Sequence, residues 1–199
     1  VQALQALLSR LRQLNSDIRR ERNRLEKAPF IASSGPLAAS LKRHIKYLEK
    51  EKDRIQKQID ALIGENDRLS HVQKRLLSIT GIGSLTSQSL IPLLYRDQFT
   101  DARQLAAYLG LTPVHKHSGT SLHSRGRLSG RGNRDLRAQL YMPAVCACRY
   151  DPAMRARYRD LIARGKAPKQ AITAIMRKLI HVCYGVVKND QDYQCPVAA

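Results

Sequence analysis

An apolar repeat in the first third of the chain constrains its fold more than any other feature. From Leu4 the apolar residues recur at steps of three and four, through Leu7, Leu11, Leu14, Ile18 and Leu25, with Glu21 filling one seam position. A stripe of that period is buried only along another helix, so the segment predicts a long amphipathic helix with a partner. Ala28, Pro29 and Phe30 interrupt the pattern, and Ser33, Ser34, Gly35 and Pro36 are turn and cap residues. A second seam then runs Leu41, Ile45, Leu48, Lys52, Ile55, Ile59, Leu62, Asn66 and Leu69. Lys52 and Asn66 read as polar seam residues, which lower stability but fix register and partner number. Two arrangements satisfy the pattern. The short break allows an antiparallel hairpin within the chain, and the heptad length favours association of two chains; both hold together if two hairpins pair.

Past residue 75 glutamate is absent, and Gly, Pro, Thr and Ser punctuate shorter apolar segments. A domain boundary placed there gives a coiled-coil hairpin and dimerisation region over 1–75 and a compact domain over 76–199. Strand-like alternation is scarce, and 85–95, 102–109, 134–149, 152–163 and 168–187 read as helices. Gly110 and Gly165 sit where helix C-terminal glycines belong, and Asp151 before Pro152 suits an N-cap. The expected fold is mostly α: long coiled-coil helices followed by a compact α-helical domain.

With 35 Lys and Arg against 16 acidic residues the chain carries a formal charge of +19, which points to a polyanionic partner, nucleic acid foremost. The excess continues beyond the coil, with 18 basic and seven acidic residues after position 75, which weakens a purely structural scaffold. No stretch reaches the roughly 18 apolar residues that span a bilayer, and VQALQALLSR is no signal peptide, so the expectation is a cytoplasmic chain without a membrane role. Cys146, Cys148, Cys183 and Cys195 lack the paired spacing of a zinc site and read as buried thiols.

Two segments carry candidate chemistry. Residues 76–94, LLSITGIGSLTSQSLIPLL, resemble a helix-hairpin-helix, in which Gly81 and Gly83 would let backbone N–H groups approach a phosphate; a plain tight turn between helices is the alternative. Residues 115–137 crowd Arg125, Arg127, Arg131, Arg134 and Arg137 among small hydroxyl residues. Arginine forks grip phosphates, and a serine on a glycine-flanked loop beside them is what phosphoryl transfer by a serine nucleophile requires. Ser118, before Gly119, is best placed, with Ser121 its rival and Ser124 and Ser129 behind; equally, all four are ordinary loop hydroxyls of a nucleic-acid-binding arm. His115, His117 and His123 are either proton carriers or phosphate and surface contacts.

Three linked stretches, DQFTDARQLAAYLGLTPVHKHSGT, RGRLSGRGNRDLRAQLYMPA and GKAPKQAITAIMRKLIHVCYGVV, resemble in order the C-terminal transposase domain of the IS110 insertion-sequence family, also called the IS116 group. Piv DNA invertases look similar. The resemblance runs from about residue 76 to the end, and a coiled coil ahead of it also fits. It implies that Ser118 and Gly119 are the family's Ser-Gly pair, whose serine joins to a DNA phosphate. It further implies a full-length enzyme with an RNase H-like domain, whose three Asp and one Glu bind magnesium, and a bridge RNA that selects donor and target DNA.

That acidic domain is not read in this chain. Its seven aspartates after residue 75 lie mostly at helix starts or in the tail, its earlier acids lie on heptad helices, and Val1 is not an initiator residue. The expectation is therefore a fragment that holds no metal or cofactor of its own and binds nucleic acid without recombining it. A second class stands against the transposase reading: a non-catalytic DNA- or RNA-binding adaptor that dimerises through its coil.

Overall fold

The computed structural model describes residues 1–30, 35–95, 99–114, 117–118, 122–123, 127–128 and 131–195, with 114, 117, 118, 122, 123 and 127 given by their backbone. The chain is mostly α-helical and divides into two units, Val1–Ser70 and His71–Ala199. None of the described helices is long and apolar enough to cross a membrane.

In the first unit, α1 (Gln2–Lys27) leads through a 3₁₀ turn (Ala28–Phe30) to α2 (Gly35–Gly64), and the two helices pack on each other. At about 1.5 Å per residue α1 is roughly 39 Å long, farther than the short connection can reach back, so the pair is antiparallel. Arg22 accordingly donates to Glu49 at 2.6 Å, and His44 lies 4.0 Å from Glu21. The buried seam is Leu4, Leu8, Leu11, Leu14, Ile18 and Glu21 against Ile45, Leu48, Ile55, Ile59 and Ile63. Glu21 is buried as the periodicity predicts, and Arg24 meets its carboxylate at 2.8 Å. Leu7, Leu25, Leu41, Lys52 and Leu62 are half-buried at the seam edge, because a helix of 3.6 residues per turn drifts off a strict heptad.

Asn66 differs from its expected seam position. The second helix ends at Gly64, and the exposed Asn66 starts α3 (Asp67–Leu77): its side-chain oxygen accepts from the Leu69 N–H at 3.0 Å. The short polar side chain satisfies an otherwise orphan amide, and that local gain breaks the apolar run.

The second unit continues through α4 (Ser84–Leu94), α5 (Ala102–Tyr108), four two-residue strands, α6 (Arg134–Gln139), α7 (Tyr141–Tyr150), α8 (Pro152–Ala163) and α9 (Pro168–Lys188). Helix α9 is its core, with α5, α7 and α8 packed on it. Its inward face carries Ala171, Ile175, Leu179, Ile180 and Cys183, and full burial pushes the Cys183 thiol up to about 12. The other cysteines depart from the expected buried state: Cys146 and Cys148 are half-buried and Cys195 is exposed.

The helix ends follow local chemistry. Gly110, at φ +69°, and Gly165, at φ +77°, close α5 and α8 in the left-handed conformation, the amides of Leu111 and Lys166 returning to Ala106 and Leu161. Asp151 caps α8 through the Met154 N–H at 2.9 Å and also takes the Tyr193 hydroxyl at 2.6 Å. The tail is held further along α3, where Arg75 meets both Asp190 and Asp192. The hydrogen bonds from His71 and then Arg75 hold the Asp190 carboxyl below its ordinary range.

The two readings of position 66 predict opposite effects. Asn66→Leu at a buried seam would stabilise the helices, whereas loss of a cap costs about 1 kcal/mol. We expect a lower unfolding midpoint for Asn66→Leu in thermal melts, and a larger loss, about 2–5 kcal/mol, for Ile59→Ala.

Candidate nucleic-acid interface

The segment between α5 and α6 is a β arm. Strand β1 (Pro113–Val114) pairs antiparallel with β4 (Arg127–Leu128), and inside that pair β2 (His117–Ser118) pairs with β3 (Leu122–His123). Ser118 stands opposite Leu122, the innermost pair of the ladder. The candidate serine is thus a strand residue, not a loop residue as the glycine-rich sequence suggests. Short strands pair across the arm, and two residues per strand are too few to leave a periodic signal. Gly119, Ser121, Ser124, Arg125, Ser129 and His115 lie outside the described residues, while Arg127 is placed opposite Val114.

Two glycines close the root of the arm. Gly132, at φ +95°, lies so near the α5 C-terminus that a Cβ there would stand 2.6 Å from the Gly110 nitrogen and 2.7 Å from the Tyr108 carbonyl oxygen. A Cβ on Gly110 would collide in turn with the Arg131 carbonyl. Backbone therefore crosses backbone in close approach, and the Asn133 N–H donates to the Tyr108 carbonyl at 3.1 Å. Arg137 bridges the crossing, donating to the Leu109 carbonyl at 3.2 Å and the Arg131 carbonyl at 3.3 Å. Asn133 caps α6 through the Leu136 N–H at 3.1 Å, so one turn starts the helix that carries the bridge.

The five arginines of this segment thus have different surroundings. Arg137 is half-buried and ties the root together, Arg131 and Arg134 are exposed beside it, and Arg127 belongs to the arm. Residues 113–139 hold six basic residues and one acid, Asp135, which lies in the first turn of α6. A segment of that charge attracts a polyanion.

The other predicted motif, the turn from α3 to α4, lies against α7. Gly81, at φ +94°, faces it so closely that a Cβ would stand 2.5 Å from the Pro143 carbonyl oxygen. That glycine serves packing. Gly83 is exposed with open space around it and precedes α4 without a side-chain cap. Gln139 of α6 donates to the Leu85 carbonyl at 3.0 Å, linking this turn to the helix at the arm's root. Among the described residues no three of His, Cys, Asp and Glu converge to hold a metal ion.

Residues 73–159 match the family model described as Transposase IS116/IS110/IS902 family. The chain carries a domain of the IS116/IS110/IS902 transposase family. It is 37% identical over 139 residues to the pilin gene-inverting protein of Moraxella bovis, covering 68% of this chain and 43% of that protein. The insertion element IS110 uncharacterized 43.6 kDa protein of Streptomyces coelicolor is 32% identical over 161 residues, 80% of this chain and 38% of its own length. The probable family 20 transposase of Pseudomonas aeruginosa is 29% identical over 174 residues, 85% and 50%. The chain thus spans about two fifths to one half of these relatives. The transposase-family segment takes in the α3–α4 turn, the arm, its glycine root and the helices as far as α8.

Sequence reasoning missed Gly132 and the inward role of Arg137. The signal available was the pair Gly110 and Gly132 flanking a basic insert, but their meeting is a long-range contact. Gly132→Ala should lower stability by more than about 1 kcal/mol, because an alanine must adopt a left-handed backbone and also displace the α5 terminus. Thermal unfolding checks this, with Gly83→Ala, in open space at negative φ, close to the parent protein.

Proposed function

We propose that this chain is the C-terminal part of a DNA transposase or recombinase, and that Ser118 on the arm is its nucleophile. The observation that carries the reading is the arm itself: a strand ladder in an arginine-rich stretch of the transposase-family segment, anchored at the glycine root, with Ser118 at its innermost pair. In the proposed step the Ser118 hydroxyl attacks a DNA phosphodiester, the phosphorus–oxygen bond to one deoxyribose breaks, and that sugar leaves as a free hydroxyl. The serine proton passes to a base, and the reverse attack by a strand end restores the diester and frees the serine. Arg125, Arg127, Arg131 and Arg134 supply cations for the phosphates around it.

The transposase domain, with relatives named as a gene-inverting protein and a transposase, supports a role in DNA recombination. DNA is the substrate of the reading, and a guide RNA is a second polyanionic partner for a chain of charge +19. Backbone contact through Gly83 and the start of α4 belongs to the same reading, as does pairing of two hairpins through α1 and α2. Magnesium is assigned to the acidic domain that the family resemblance implies, and none of this chain's described residues is given a part in holding it.

Ser118→Ala in the full-length protein, with magnesium and guide RNA, should abolish the covalent protein–DNA adduct on denaturing gels. Affinity for DNA should be nearly unchanged, since one hydroxyl contributes little to binding. Rate should fall by at least a hundredfold, as a misplaced substitute hydroxyl loses about that much. Ser121→Ala is the matched control. An adduct that persists in Ser118→Ala and vanishes in Ser121→Ala would move the nucleophile by three residues. If neither change affects recombination, the chain is a binding adaptor.

A further inference from the structure

Where α7 ends and α8 begins, the two helices and α9 enclose an open cleft of about 460 Å³. Arg155 and Arg159, one helical turn apart, project into it from α8 with Tyr158 between them. Arg149 lines it from α7, its guanidinium over the Tyr150 ring, and Val145 and Ile172 form an apolar wall. The Arg155 guanidinium donates to the Arg149 carbonyl, which fixes it across the end of α7.

No carboxylate lines the cleft. Asp151, the acid between the two helices, is buried, with its oxygens on the Met154 amide and the Tyr193 hydroxyl. Asp160 pairs with Arg164 at 2.9 Å, on the side away from the lining residues. Among the described residues Arg149, Arg155, Arg157 and Arg159 carry no ion pair. From 149 to 169 the sequence holds seven basic residues and two acids, both already engaged. Three arginines line one cleft with no acid among them, and an anion bound there would accept forked hydrogen bonds from their guanidinium groups.

We infer that this cleft takes a phosphate of a DNA backbone, as a second contact built from residues other than those of the arm. The inference rests on the DNA-binding reading above and extends it to a site independent of Ser118. The apolar wall and the Tyr158 ring suit the sugar beside a phosphate.

The test is equilibrium binding of duplex DNA to the full chain at several salt concentrations, comparing the parent with Arg159→Ala, Arg159→Lys and Arg155→Ala/Arg159→Ala. Arg159 has no ion pair among the described residues, so its variants should melt with the parent. Arg159→Ala should lower the slope of log affinity against log salt by about 0.9, the value of one phosphate contact, the double variant by more, and Arg159→Lys should keep the slope. Cys148 lines the same cleft and is half-buried, so bound DNA should slow its maleimide alkylation, read by mass spectrometry. An unchanged slope in both alanine variants together with unprotected Cys148 overturns the inference. A slope lost for duplex RNA but kept for DNA overturns it as well, assigning the cleft to RNA. The catalytic reading fails separately, in the Ser118 adduct assay, and a parent chain without salt-dependent DNA binding removes the DNA reading itself.

Discussion

Gly110 and Gly132 meet backbone to backbone, and the placement of the arm depends on that crossing. A β ladder with two residues in each strand has little stability of its own. Its ends must be held by something stiffer. The crossing supplies this: α5 ends in a left-handed glycine, the returning chain passes over it in another, and Arg137 joins the carbonyls on either side. Neither glycine tolerates a side chain, so the approach of the two segments has one geometry. Below it lies α9, whose apolar face carries α5 and fixes the helix on which the root is built.

The distribution of charge follows a related division. The second unit uses most of its described acids locally: Asp101 caps α5 through the Gln104 amide at 2.8 Å, Asp151 caps α8, Asp160 pairs one turn along its helix, and Asp190 and Asp192 tie the tail to Arg75. Acids at helix starts stabilise those helices through the macrodipole and the free amides. Few carboxylates are thus left to offset the arginines and lysines of this unit, Asp135 of α6 among them. Arg75 and Arg137 are turned inward to structural partners, while Arg134, Arg155 and Arg159 remain outward.

Features set by neighbours in the chain were legible in the sequence. The two long helices, the cap at Asp151 and the closing glycines 110 and 165 all come from residues within a few positions of one another. Asn66 departs from the seam for the same reason, because a polar residue at heptad spacing and a helix cap look alike in sequence. Contacts across long stretches were not legible: the pairing of 113–114 with 127–128, the Gly110–Gly132 crossing, and the tail's return to Arg75. Of the candidate site, Ser118 and the arginines were named from composition and from family resemblance, but nothing local distinguished Arg137, which holds the root, from Arg134, which faces outward. The α7–α8 cleft escaped because its arginines sit on helices whose pattern reads as an ordinary solvated face.

In the proposed reaction the arm carries a phosphate-joining serine at its innermost pair. Peptide mapping of the covalent adduct tests it most directly: the full-length protein is trapped on DNA, digested with trypsin and nuclease, and the nucleotide-bearing residue is located by fragmentation. The peptide after Lys116 and up to Arg125 contains Ser118, Ser121 and Ser124, so one spectrum discriminates among them. The account predicts the nucleotide mass on Ser118. A nucleotide on either other serine, on a residue outside the arm, or on no residue while recombination proceeds would contradict it.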